Sequence, residues 1–257
     1  MPERALTSDR PHDTRIRSYV HQRVRLSDGQ ESAWRRLWPV LGGEVAEVVG
    51  GPGSSWDPHA AFGRNAPLVL EIGPGMGETT AALAAAEPAV DHLAVEVYEP
   101  GLAQLLMRIE QLDLTNQRLL RGDAVELLER AVAPRSLSGI RIFFPDPWPK
   151  RRHHKRRLIQ PGFARLAVSR LVPGGFLHLA TDWPHYAEQM RRVVTAEPGL
   201  RPDDAFPLGP DGWQARPEWR PTTKFEERAR IEGRPVRDLL YVADHGTAPS
   251  DTRRVTD

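Results

Sequence analysis

At 257 residues, 40% of them hydrophobic, the chain suits one large α/β domain with extensions. It has no cysteine, which excludes disulfides, thiolate nucleophiles and cysteine–zinc sites. No apolar run reaches membrane-spanning length and residues 1–20 lack a secretion-signal core, so a cytoplasmic protein without membrane contact is expected. The net charge of +1 hides an asymmetry. Nine Lys or Arg lie between Arg141 and Arg170 against one acid, Asp146, so the rest of the chain is net negative. A basic patch on an otherwise acidic protein suits a polyanionic partner at one face.

Residues 1–30 are polar and Arg-rich and are expected to form a flexible basic arm. Gln30 to Val49 reads as one or two short helices, with Trp34, Leu37, Trp38 and Leu41 at helical spacing for packing. Gly50 to Pro58 is a Gly/Pro-rich connection. The main domain is expected over 31–244, with a motif-bearing core at 66–183 and a substrate-binding part at 184–244, followed by a flexible tail at 245–257.

Leu68 to Ile72 is a buried-strand pattern that runs into Gly73-Pro74-Gly75-Met76-Gly77, and Glu78 to Ala86 reads as the next helix. Strand, glycine turn and helix open a nucleotide-type βαβ unit. The dinucleotide fingerprint G-x-G-x-x-G fails, because its third glycine would fall on Glu78. Glu71 would repel a pyrophosphate but accept from a cationic, amino-bearing ligand, which favours S-adenosylmethionine over NAD. A second strand ends on Glu96, placed to take two ribose hydroxyls. Tyr98 to Leu114 is an amphipathic helix. Asp123 follows a short third strand, where it can accept from an adenine amino group, cap the next helix, or both.

The fourth strand leads into the densest motif, Arg141 to Arg157. Ile142, Phe143 and Phe144 stop on Pro145-Asp146-Pro147-Trp148-Pro149, where three prolines stiffen the loop. Six of the eight residues from Lys150 to Arg157 are Lys or Arg. A carboxylate and an aromatic ring beside such a run suggest a base-reading pocket next to a phosphate-binding surface. Trp148 is placed either to stack on a base or to pack in the core. Leu158 to Leu171 is read as an amphipathic helix, and Pro173-Gly174-Gly175 as a turn into a fifth strand, Phe176 to Ala180, ending on Asp182. Thr222 to Arg228 is a compact polar cluster opening a helix, and Asp238 to Ala243 is a last strand. Metal binding is not expected: His153 and His154 are adjacent and sit among cations.

The assembled motifs EIGPGMG, PDPWPK with the basic block, TDW and TKFE resemble the bacterial tRNA (guanine-N7)-methyltransferases. The resemblance spans about Arg15 to Ala243. It implies a Rossmann-like class I methyltransferase fold, with a mostly parallel, doubly wound sheet, an antiparallel last strand and an N-terminal helical extension. It implies methyl transfer from S-adenosylmethionine to N7 of the variable-loop guanine, position 46 of tRNA, with no obligatory protein partner. By the same resemblance, the cofactor contacts fall on Glu71, Gly73, Gly75, Gly77, Glu96, Asp123 and Asp146, and Asp146 is catalytic. Substrate contacts fall on Lys150, Asp182, Thr223, Lys224, Phe225 and Glu226. The RNA-contacting segment is Arg152, His153, His154, Lys155, Arg156 and Arg157.

Overall fold

A computed structural model describes residues 25–51 and 55–245. Most of the expected basic arm and nearly all of the expected tail lie outside the described residues. The chain opens with α1 (Asp28–Leu41), β1 (Gly42–Glu44), α2 (Val45–Val48) and α3 (Pro58–Phe62). The alternating core follows: β2 (Leu68–Ile72), α4 (Glu78–Ala86), β3 (Asp91–Glu96), α5 (Glu99–Gln111), β4 (Gln117–Arg121), α6 (Ala124–Arg130) and β5 (Leu137–Phe143). A 3-10 helix (Arg151–Arg156) leads to α7 (Pro161–Arg170), β6 (Leu171–Thr181), α8 (Pro184–Thr195), β7 (Leu200–Pro202), α9 (Lys224–Ile231) and β8 (Arg237–Ala243).

The strands form one eight-stranded sheet in the order β1-β4-β3-β2-β5-β6-β8-β7. Neighbours from β1 to β6 are parallel, and β8 runs antiparallel to both β6 and β7. After β2 the chain winds outward through β3 and β4, then returns to place β5 on the other side of β2. Strand order therefore reverses between β2 and β5, and in such sheets ligands bind beyond the carboxyl ends at that point.

Side-chain alternation assigns the two faces. Leu68, Leu70 and Ile72 of β2, with Ile140 and Ile142 of β5, join α6, α7 and α8 in the largest core. Ala94 and Leu119 face the other way and pack with α1 and α5. Glu71, Arg141 and His178 share one register level, Glu71 beside Arg141 and Arg141 beside His178. All three are buried. A polar row thus crosses the middle of the sheet on the α4 side.

The helices expected over 30–49 are interrupted by β1, which pairs with β4 at the sheet's edge. Its glycines break the α1 pattern: a Cβ on Gly42 would meet the Trp38 ring at 2.2 Å. Glu44 then fixes the edge through an ion pair to Arg121 at 2.8 Å. The helix expected from Leu158 begins at Pro161, a residue suited to a first helical position. The strand expected at Phe176 extends back to Leu171 through Gly174, whose φ of 76° permits the turn.

One helical glycine is a packing requirement. A Cβ on Gly101 of α5 would lie 2.2 Å from the carbonyl oxygen of Gly75, so α5 seats directly on the glycine loop. Gly101→Ala is expected to lower unfolding stability by about 1–3 kcal/mol, the usual cost of overpacking. Denaturant unfolding checks this, and a loss below about 0.5 kcal/mol, within the range of neutral surface substitutions, would contradict it.

Candidate active site

The turn after β2 and the loop after β5 face each other across a cavity of about 430 Å³. The glycine turn is possible because Gly73, Gly75 and Gly77 all take positive φ, at 75°, 57° and 71°. At Gly77 the fit is also tight, since a Cβ would meet Leu105 at 2.7 Å. On the opposite wall, Phe144 and Trp148 adopt φ of 50° and 41°. Bulky residues rarely take such values, and strain of this kind concentrates at functional sites. Asp146 lies exposed between these two residues, on a loop that starts and ends in left-handed backbone.

Five acids stand around this space. Glu71, Glu78, Glu96 and Asp146 line the cavity. Glu96 accepts backbone N–H bonds from Gly75 (3.2 Å), Val97 (2.7 Å) and Tyr98 (3.0 Å), which fixes its carboxylate beside the glycine turn. Burial raises its pKa, those three bonds lower it, and nearby Asp146 adds to the rise. Asp123 caps α6 by accepting from Val125 and Glu126, and Ala124 and Val125 continue the cavity wall. The capping role is therefore observed, and it leaves Asp123 at the cavity edge.

Glu71 is buried and strongly perturbed. Burial pushes its carboxyl up to about 7, against the pull of Arg141 and the neighbouring Thr80 hydroxyl, with Glu96 adding to the rise. A folded-state pKa above the ordinary 4.5 means the folded protein holds a proton that the unfolded chain has released. Stability then falls as pH rises from about 4.5 to 7, and the penalty is complete above that range.

The third wall comes from α9, with Thr223, Lys224 and Phe225 at the cavity. Thr223 caps the helix by accepting from the Glu226 N–H at 3.0 Å. Lys224 Nζ reaches Glu78 Oε1 at 2.9 Å, joining α9 to the start of α4. Phe225 stacks on Phe144 with ring centroids 5.9 Å apart. Asp182 and Glu226 are outside the cavity lining but held in place. Arg234 donates to Asp182 at 2.6 Å, and Glu226 pairs with Arg216 at 3.0 Å and Arg220 at 2.8 Å.

The basic segment folds as the 3-10 helix and presents an exposed or half-exposed surface from Lys150 to Arg156. The Arg156 guanidinium lies over the Trp148 ring at 5.0 Å, and His153 meets its edge at 5.9 Å. Trp148 is therefore a cavity wall braced by the basic segment. Partial burial, then the cations Arg156, Arg152 and Lys150, hold His153 below its ordinary pKa. Arg157 departs from the expected RNA contact: it is 1% exposed, and its guanidinium turns inward.

The family described as "Putative methyltransferase" matches residues 65–239. A curated tRNA (guanine-N(7)-)-methyltransferase of Mycobacterium avium is 51% identical over 223 residues, covering 86% of this chain and 84% of that protein. One from Paraburkholderia xenovorans is 50% identical over 240 residues, covering 93% and 86%. The chain belongs to the tRNA (guanine-N7)-methyltransferase family. Among solved structures, the 16S rRNA methyltransferase KamB superposes with a TM-score of 0.51 at 17% identity, over 77% of this chain and 98% of that one. That likeness concerns the fold, which is of the class I methyltransferase type.

Sequence reasoning missed the buried residues behind α9. Arg220 is 0% exposed and donates to both oxygens of Asp238, at 2.8 and 3.0 Å, as well as to Glu226. His178 Nε2 lies 2.8 Å from the same Asp238. A carboxylate only accepts, so Nε2 carries the proton. A histidine and an aspartate inside apolar strands were the only available signal. Nothing in the sequence joined them to an arginine in a Pro- and Trp-rich stretch.

Replacing Glu71 provides a direct check. Glu71→Gln removes a charge that is penalised above neutral pH, at about 1.4 kcal/mol per pK unit. The variant is expected to be more stable than the parent at pH 8, by up to a few kcal/mol, and nearly equal at pH 4.5. Thermal melts across that range test this; an equal gain at both pH values would contradict the burial of a charged Glu71.

Proposed function

We propose that this protein transfers a methyl group from S-adenosylmethionine to N7 of the variable-loop guanine, position 46, of tRNA. One observation carries the reading. The glycine turn, the Asp146 loop and the basic 3-10 segment border a single cavity at the sheet's switch point, in a chain half identical to enzymes that bear this name. The residues present fit the cofactor. The turn is open, with nothing within 4 Å of a Cβ on Gly73 or Gly75, and Glu71 and Glu96 offer carboxylates to a cationic, hydroxyl-bearing ligand. Glu71, Glu96, Asp123 and the backbone of Gly73, Gly75 and Gly77 would hold it. When bound, it supplies an electrophilic methyl group on a sulfonium.

Guanine N7 has an in-plane lone pair and no proton, so no general base is needed to create the nucleophile. The chain's contribution is positioning and electrostatics. Methylation leaves positive charge on the guanine imidazole ring. Asp146, held on a strained loop between two prolines, offers a carboxylate that favours this charge as it develops. Asp182 has one arginine partner, Arg234, and Glu226 has two, Arg216 and Arg220; these fix the carboxylates and leave acceptor capacity, since a carboxylate has about four lone-pair sites. They accept from the guanine N1–H and exocyclic amino group, an edge adenine lacks. Lys150, Arg152, His153, His154, Lys155 and Arg156 meet the RNA, with phosphates drawn to the cations. Thr223, Lys224 and Phe225 close the guanine side. The target base must leave its stack to reach the cavity. In this reading the partner is tRNA, and the protein works in the cytoplasm.

Asp146→Asn keeps the loop's shape and removes its charge. Turnover of tRNA is expected to fall by about 10²–10³, the usual effect of losing one electrostatic stabiliser, with tRNA affinity unchanged. Steady-state methyl-transfer kinetics with labelled cofactor read this. A rate within threefold of the parent would remove Asp146 from the mechanism.

A further inference from the structure

Arg157 closes the most basic stretch of the chain, yet it is buried. Its Nε donates to the Pro147 carbonyl at 2.7 Å, and Pro147 directly follows Asp146. Its Nη1 donates to Gln189 Oε1 at 2.7 Å, and the guanidinium lies 4.8 Å from the centre of the Tyr186 ring. Tyr186 and Gln189 sit three residues apart on α8, so they share one helix face. The circuit closes through Ile159: its N–H donates to the Tyr186 hydroxyl at 3.0 Å, and its carbonyl accepts from Gln189 Nε2 at 3.0 Å. One end of the Asp146 loop and the exit of the 3-10 helix are thereby tied to the same face of α8.

We propose that Arg157 is a positioning residue for the reaction, clamping the Asp146–Pro147 loop to α8, and is not an RNA contact. The inference rests on the assignment of Asp146 given above. Three features support it. The loop is strained at Phe144 and Trp148, so something beyond local preference must hold it. Three of its residues are prolines, which supply no N–H, so carbonyls such as that of Pro147 are what the loop offers for anchoring. The anchor must also supply two donors in fixed directions to two different acceptors. An arginine fork does this and a lysine does not.

The test uses the full-length protein, labelled S-adenosylmethionine and one tRNA transcript, with turnover and tRNA binding measured at several salt concentrations. Arg157→Lys keeps the charge and breaks the fork. It is expected to lower kcat at least tenfold, keep the tRNA KM within twofold, and leave the salt dependence of tRNA binding unchanged. Arg156→Ala is the contrast, with a salt slope shallower by about 0.7–0.9 for each lost phosphate contact. Gln189→Leu removes one anchor without touching any cation and is expected to show the Arg157→Lys signature in weaker form. If Arg157→Lys melts below the assay temperature, Gln189→Leu decides by the same readouts. A normal kcat in the readable variant, or a raised KM with a shallower salt slope in Arg157→Lys, would overturn the proposal. Failure of the substrate assignment itself is separate, because it shows as absent tRNA labelling by the parent protein.

Discussion

Strands β2 and β5 lie side by side, and the chain leaves them toward opposite edges of the sheet. The rest of the site depends on that reversal. It leaves a gap above two adjacent strand ends that no crossover helix fills. Register then decides what faces the gap. Glu71 pairs with Arg141, so the glycine turn and the Asp146 loop begin at the same height. A one-residue slip would turn Glu71 into the α6 and α7 core and expose an isoleucine in its place.

Around this frame, three buried arginines tie neighbouring elements together. Arg141 donates to both oxygens of Glu87, Arg157 ties the Asp146 loop to α8, and Arg220 ties Glu226 to Asp238. Buried ion pairs are poor sources of stability, because desolvation consumes most of the Coulomb gain. Their value here is directional. Each guanidinium joins two elements at fixed angles, so both flanks of the cavity hold shape without filling it. Glu71 likewise costs stability, since its burial penalises the charged form.

Much of this was legible in the chain. The strand and helix order from Leu68 to Thr181 follows from apolar periodicity and turn residues, and the glycine turn and strand-end acids are local patterns. Asp123 as a cap is read from residue type alone. Three things were not legible. The edge strand β1 is three residues long, too short for any periodicity. Arg157 looks like its neighbours in a run of cations, and only the fold decides which one turns inward. The Arg220–Asp238–His178 cluster joins residues from a loop and two strands, and no spacing in sequence announces a contact that depends on antiparallel pairing of β6 with β8.

In the proposed reaction, one cavity brings a methyl donor to a single guanine of folded tRNA. The most direct measurement incubates the protein with methyl-labelled S-adenosylmethionine and two tRNA transcripts that differ only at the variable-loop guanine, intact in one and adenine in the other. Label in the intact transcript alone, recovered as N7-methylguanine, is the predicted result. Equal label in both transcripts, or none in either with the cofactor bound, would contradict it.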